Sequence, residues 1–412
     1  MTGTLDVAII GGGAAGIAAA RYLIGHRRSV RIIEALPRLG GRAFTRHIDG
    51  LPLDMGCGWL HSAERNPLAA LADTLGHPLD RRESAWSKQL GNIDFSPEDQ
   101  QGAWNAFESL KNRLRETPPP GDRASDALPA TDRWRPFADG LSSFMNGAEL
   151  DQLSAEDFLA YEDAASESNW RLPEGYGAFI TGLGVDVPVS LSTRVRSVAG
   201  DKDMVLQTDQ SVIRAAAVIV AVPTTVLARG DIRFSHALDD HLEAASHLPL
   251  GLADKVFLTM NDPDAVPPES HLLGRTDRAE TGSYYLRPLG RPVIECFLGG
   301  AWARDLERQG PDAATAFAIE ELTHLLGGDF ARGLSPLITT RWAKEPTIGG
   351  SYSHALPGHH AARAVLSHPV SERLCFAGEA CSAHDFSTAH GAWQSGIDAA
   401  RHIETYLAGA HA

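Results

Sequence analysis

The feature that most constrains this chain lies within its first three dozen residues. Leu5 to Ile10 is a short apolar run of the kind that forms a buried parallel strand. It leads directly into Gly11-Gly12-Gly13-Ala14-Ala15-Gly16, and Ala14 to Ile24 reads as a helix. A second strand, Ser29 to Ile33, ends at Glu34. Strand, G-x-G-x-x-G turn, helix, strand and acid together predict a dinucleotide-binding unit. Gly11 permits the tight turn, Gly13 lets the backbone approach a pyrophosphate, and Gly16 lets the helix pack against the strand. The helix N-terminus, at Ala14 and Ala15, offers free N–H groups and the positive end of its dipole to phosphates. Glu34, with Ala35 beside it, stands where a carboxylate takes both hydroxyls of an adenosine ribose. A 2′-phosphate would be repelled there, which argues against NADP. These residues alone leave NAD and FAD open.

Arg38-Leu39-Gly40-Gly41-Arg42 follows the ribose acid. Such a turn can carry the chain over the diphosphate while Arg42 neutralises it. A surface turn with solvated arginines fits the same residues. With 412 residues the chain is long enough for two domains, and its net charge of −15 argues against nucleic acid as a partner. That charge suits a cationic substrate, and equally an enzyme kept soluble by its acids. Cys57, Cys296, Cys375 and Cys381 form no CxxC pair, so neither a zinc site nor a disulfide framework is expected. No apolar run reaches the ~20 residues of a membrane span. The N-terminus lacks a basic leader, and the stretch Gly396 to Ala412 carries Asp398, Arg401, His402 and Glu404. A cytoplasmic protein without metal, nucleic acid or membrane partner is therefore expected, and an oligomer is compatible with the sequence.

Further stations along the chain make it similar to the flavin-containing amine oxidases, the family of monoamine oxidases, polyamine oxidases and flavin-dependent histone demethylases. After Gly40-Gly41-Arg42 comes Asp54-Met55-Gly56-Cys57-Gly58-Trp59-Leu60-His61, which resembles the family's D-x-G-x-x-W-x-H segment. Gly175-Tyr176-Gly177 looks like its turn back into the FAD domain. Val195, in a predicted strand Thr193 to Val198, matches the residue that holds adenine by its backbone. Ala217 to Pro223 is a strand ending in the family's proline. Near the C-terminus, Leu374-Cys375-Phe376-Ala377-Gly378-Glu379 and Thr388-Ala389-His390-Gly391-Ala392-Trp393-Gln394-Ser395-Gly396 complete the series. The resemblance assigns Gly378 and Glu379 to the ribityl chain and diphosphate. It puts the helix start at Thr388 and Ala389 against the flavin N1–C2=O edge, where a helix dipole stabilises the reduced ring. The cofactor implied is FAD.

For the chemistry, Trp342 to Tyr352 resembles the segment that supplies one wall of an aromatic cage for the amine. Tyr352 would be that wall and Trp342 a cofactor contact. A buried strand tyrosine is the plainer alternative. The second cage tyrosine of monoamine oxidases is Thr388 here, as in polyamine oxidases. The covalent flavin cysteine is replaced by Ser351, so FAD is expected to be non-covalent. Lys255 enters the apolar run Leu250 to Leu258, where an ammonium needs a partner. In the family this lysine holds a water at flavin N5; an edge position reaching solvent is the alternative. His61 resembles a histidine near the substrate, though one histidine is equally well structural. Leu36 stands where the family often has arginine. The acids of 149–167 could steer a polycation or form a solvated helix face.

The expected fold is α/β with an α+β second domain. A Rossmann-like FAD-binding domain comes from discontinuous segments 1–75, 176–245 and 366–412. A substrate domain of mixed sheet and helix takes 76–175 and 246–365. Its candidate strands are Phe257 to Met260, Ser283 to Leu286 and Pro292 to Leu298, and a Pro/Gly/Asp-rich loop spans Thr117 to Asp132. The function implied is FAD-dependent oxidation of a polyamine or aralkylamine to an imine, with O2 reduced to H2O2. An L-amino-acid oxidase, or a desaturase or porphyrinogen-type oxidase acting on C–C bonds, is the alternative.

Overall fold

A computed structural model describes residues 4–200, 202–235 and 237–409. The chain divides into two compact units, Met1–Arg81 with Asp163–Leu250 and His359–Ala412, and Arg82–Glu162 with Gly251–Gly358.

The first unit is built on the strand Leu5–Ile10. Its last four residues are buried, as expected of a strand covered on both faces. Val30–Ile33 pairs with it in parallel on one side and Val212–Val220 on the other, in the registers Ile9↔Ile32 and Ile9↔Ile219. The sequence predicts a strand from Ala217, but Val212–Val220 begins earlier and changes neighbours midway. Its first half is antiparallel to Met204–Thr208, and its second half takes Leu374–Phe376 in parallel. The C-terminal strand thus lies one position from the N-terminal one. The helix Ala14–Gly25 packs on the C-terminal helix Ala389–Gly409. They approach so closely that a Cβ on Gly396 would sit 2.1 Å from the Ala15 carbonyl oxygen. Ile9, Ile17, Leu23, Ile32, Ile219 and Ile403 fill the core between these layers.

Residues 163–175, expected in the second domain, belong to the first unit. Leu60 bridges Trp170 and Asp80 bridges Arg171. The Arg171 guanidinium also pairs with Asp80 and lies over the Trp59 ring, 4.7 Å from its centroid. Gly175-Tyr176-Gly177 then docks on the hairpin Thr45–Ile48/Leu51–Asp54. Tyr176 N and Gly177 N donate to the Asp54 carboxylate, and a Cβ on Gly177 would fall 2.4 Å from Phe44 N.

The second unit holds a five-stranded sheet, antiparallel throughout, in the order Ser270–Leu273, Gly282–Leu286, Val293–Gly299, Ala253–Met260, Leu334–Thr339. The 82–162 piece is helical. Its long helix Pro97–Glu116 is capped by Ser96, whose side chain accepts from Asp99 N. Glu98 and Asp99 sit in the first turn and Arg113 and Arg115 in the last, complementing the dipole. The acidic stretch forms the helix Ala155–Ala164, but it is not wholly a solvated face. Asp157 is buried and its carboxylate accepts from Ala355 N. No helix among the described residues is long and apolar enough to cross a membrane.

Candidate active site

In the first unit the glycine turn separates into two kinds of position. Gly11 (φ +106°) and Gly16 are required by the chain's own packing. A Cβ on Gly11 would meet the Ala221 carbonyl oxygen at 2.4 Å, and one on Gly16 the Gly11 oxygen at 2.0 Å. Gly13 is different. Its φ of −78° suits any residue, and among the described residues the one atom a Cβ would meet there is the Gly40 oxygen at 3.8 Å. No described neighbour demands glycine at Gly13, and the open space there would admit a ligand. Gly13 is also the N-cap of Ala14–Gly25 and has no side chain to cap it, leaving the first-turn N–H groups of Ala14 and Ala15 for a ligand. Gly41 and Gly378, both at positive φ, face similarly open space. These surfaces fit a diphosphate.

Several other residues expected at the cofactor pack against this turn. Gly40 N donates to Gly12 O, and Gly13 bridges Gly40. The Arg38 guanidinium lies 3.7 Å from the Phe44 ring centroid and donates to Gly41 O, shaping the turn. Glu34 is buried and accepts from Gly12 N (2.6 Å) and Leu36 N (2.7 Å). Burial raises its pKa, and these backbone hydrogen bonds oppose the rise. Ser192 N and Thr193 N bond to the carbonyls of Leu36 and Glu34. The strand starts at Val195 rather than Thr193, two residues after the one that bonds to the Glu34 carbonyl. Arg42 and Glu379, 337 residues apart in sequence, form an ion pair of 2.8 Å. The segment Gly56-Cys57-Gly58-Trp59 runs beside them, with Cys57 N donating to Arg42 O.

Thr388 has a local role. Its hydroxyl donates to Asp385 O (2.6 Å) and accepts from Gly391 N (2.9 Å), capping the helix that Ala389 begins. Below this cap Asp385 receives Arg65 at 2.6 Å and His390 at 3.2 Å. Burial alone would raise the Asp385 carboxyl, but the hydrogen bonds and charges of His390 and Arg65 hold it well below the usual range. His61 lies close enough to feel the His390 charge. Burial pushes its pKa down to about 4, against the opposing hydrogen bond to Asn169. Its Nδ1 is 2.7 Å from Asn169 Oδ1, an amide oriented by donation from Nδ2 to Glu167 O. Nδ1 therefore carries the proton, and Nε2 keeps the lone pair.

In the second unit Asp254 and Lys255 sit side by side in the interior strand Ala253–Met260 and point to opposite faces. Lys255 is 3% exposed and neither lies at an edge nor reaches solvent. Its Nζ pairs with Glu295 Oε1 at 2.7 Å, on the next strand, and lies over the Phe297 ring, 4.7 Å from its centroid. Asp254 Oδ1 accepts from Thr340 Oγ1 and from Trp342 N, which fixes the buried Trp342. Ser351 Oγ accepts from Ala253 N and donates to Ala253 O. Tyr352 is not in a strand. Its backbone accepts from Gly251 N, its hydroxyl donates to Phe144 O, and burial pushes its pKa up.

Sequence reasoning missed Glu295, Asn169 and Asp254. The available signal was carboxylates within apolar runs, as in Val293-Ile294-Glu295-Cys296-Phe297-Leu298. Asn169 carries no such mark.

The family model of flavin containing amine oxidoreductases matches residues 14–404. Polyamine oxidase 5 of Oryza sativa subsp. japonica is 30% identical over 98% of this chain and 89% of its own. Polyamine oxidase 2 of Arabidopsis thaliana is also 30% identical, over 96% of this chain and 87% of its own. Among solved structures, a putrescine oxidase bound to putrescine superposes with a TM-score of 0.78 at 21% identity, covering 98% of this chain and 99% of that one. It shares the fold. The chain thus belongs to the flavin-containing amine oxidoreductase family, an enzyme that takes FAD and oxidises amines.

Proposed function

We propose that the enzyme oxidises a polyamine, passes the electrons to dioxygen to give H2O2, and holds FAD without a covalent bond. FAD, when bound, accepts a hydride at N5 from the carbon next to the amine, giving an imine that water hydrolyses to an aldehyde. The first unit is read as the FAD-binding domain and the second as the substrate domain.

The observation that carries this reading is Lys255, an ammonium kept inside an apolar strand where packing alone gives no reason for it. Its assigned task is to hold a water and to stabilise the negative charge that develops on oxygen as it is reduced. Glu295 fixes the position of the ammonium. Tyr352, its hydroxyl tied to Phe144 O, presents its ring as one wall for the amine and keeps the reacting carbon oriented. His61, with its pKa pushed down to about 4 by burial, remains neutral near pH 7 and adds no positive charge to the site. Thr388, occupied in capping, contributes through the helix dipole rather than through its hydroxyl.

A polyamine is favoured over an aralkylamine by the net charge of −15 and by the names of the two plant relatives. The amino-acid oxidase alternative needs an arginine for the substrate carboxylate. The buried Arg171 is paired with Asp80, and the buried Arg363 stacks on Phe386 at 3.6 Å. Non-covalent FAD follows from Ser351, which offers no thiol and whose hydroxyl is used on Ala253. Four free cysteines support a cytoplasmic location.

Peroxide release with spermine, putrescine, phenethylamine and L-leucine tests the substrate class; no peroxide with any amine sinks the oxidase reading. Lys255→Met should slow flavin reoxidation by O2 far more than flavin reduction by substrate in stopped flow. Equal effects on both half-reactions would remove its assigned role. After acid precipitation the yellow colour should stay in the supernatant.

A further inference from the structure

On the face of the strand Ala253–Met260 opposite Lys255, two buried carboxyl groups meet. Asp254 is 3% exposed and Glu307, from the helix Gly300–Gln309, is 5% exposed. Each uses one oxygen to hold the segment that carries Trp342. Asp254 Oδ1 takes Thr340 Oγ1–H (2.7 Å) and Trp342 N–H (3.1 Å), and Glu307 Oε1 takes Ala343 N–H (2.9 Å). The other oxygens, Asp254 Oδ2 and Glu307 Oε2, are buried with no donor from the protein. They adjoin a cavity of about 10 Å³, room at most for one water.

Two carboxylates side by side away from water cannot both be charged at modest cost. One proton between them removes a charge and gives the undonated oxygens a hydrogen bond. We propose that Asp254 and Glu307 share a single proton, and that this acid pair is a positioning device that locks Thr340–Ala343, and with it Trp342, against the strand that carries Lys255. Neither residue touches the reacting atoms. Burial, and the hydrogen bond and charge of Glu307, raise the Asp254 carboxyl well above its ordinary range, in keeping with that proton. The ionisable groups facing the pair are few. Arg341 lines the same cavity from its exposed position, and Tyr352 feels the Asp254 charge. Arg304 and Arg308, on the helix of Glu307, are exposed, and Lys255 lies on the other face with Glu295.

The proton should be visible in folding. A carboxyl raised in the folded state gives stability that is complete below its unfolded range, about pH 4, and is lost as pH rises through its folded value. Asp254→Asn keeps both acceptor bonds of Oδ1 and donates an amide N–H to Glu307 in place of the shared proton. The pH dependence of unfolding midpoints should therefore differ between wild type and Asp254→Asn by about one proton. The wild type should lose stability with rising pH where the variant does not. Turnover should follow: Asp254→Ala falls tenfold or more, and Asp254→Asn recovers most of the loss and holds it to higher pH. Should Asp254→Asn fail to fold, Glu307→Gln serves in the same comparison. Identical pH dependence in wild type and the amide variant overturns the shared proton. Equal losses in Asp254→Asn and Asp254→Ala overturn the positioning role.

Discussion

Replacing Glu295 by Gln would leave the Lys255 ammonium buried without its carboxylate. The gross attraction is large: at 2.7 Å and an effective dielectric constant of ~20 it amounts to ~6 kcal/mol. Desolvation of both ions offsets most of that, so the pair as a whole adds little. Removing one partner is another matter, because the desolvation already incurred by the other remains. Such single deletions cost ~3–5 kcal/mol. Glu295 retains 17% side-chain exposure and Phe297 offers its ring face to the ammonium, which puts Glu295→Gln at the low end, about 3 kcal/mol. Lys255→Met should cost less, about 1–2 kcal/mol, because the partly exposed Glu295 can still be solvated. The double variant, with neither charge, should lie near Lys255→Met alone, giving a coupling of about 3 kcal/mol in a double-mutant cycle by denaturant unfolding. Additivity within ~0.5 kcal/mol would refute the pairing, and with it the claim that Glu295 holds Lys255 in place.

Two further outcomes follow from the first unit. Gly13→Ala should fold as well as wild type, since its Cβ enters open space, yet bind FAD at least tenfold more weakly in a fluorescence titration; Gly16→Ala should melt lower even without flavin, because its Cβ would meet the Gly11 oxygen at 2.0 Å. Equal melting temperatures for the two variants would contradict this division of roles. His61 has a folded pKa of about 4 against an ordinary 6.5, so its contribution to stability is present above pH 6.5 and is lost as pH falls toward 4. His61→Gln should flatten the fall in unfolding midpoint across that window. An unchanged acid slope would show that His61 is not held neutral.

The dinucleotide turn was legible because its physics is local. A strand, a glycine turn and a helix start are written in consecutive residues, so Gly11, Gly13, Gly16 and Glu34 could be picked out as candidates from spacing alone. The order of later motifs, from Gly40-Gly41-Arg42 to Thr388-Ala389, carried the cofactor and the reaction class through resemblance. Boundaries were less legible. Residues 163–175 look like a continuation of a helical domain, and only their bridges to Leu60 and Asp80 assign them to the first unit.

The sequence by itself was enough to predict a dinucleotide-binding unit, and its strand, glycine turn and helix are in place. It also flagged Lys255 as an ammonium in need of a partner. Tertiary structure alone decided the partner: Glu295, forty residues on, on the neighbouring strand. It likewise paired Arg42 with Glu379, Asp254 with Glu307 and His61 with Asn169. The reason is electrostatic. A charge or polar group removed from water must be answered by another within about 3 Å, and that neighbour is chosen by strand register and helix packing, which leave no trace in residue spacing.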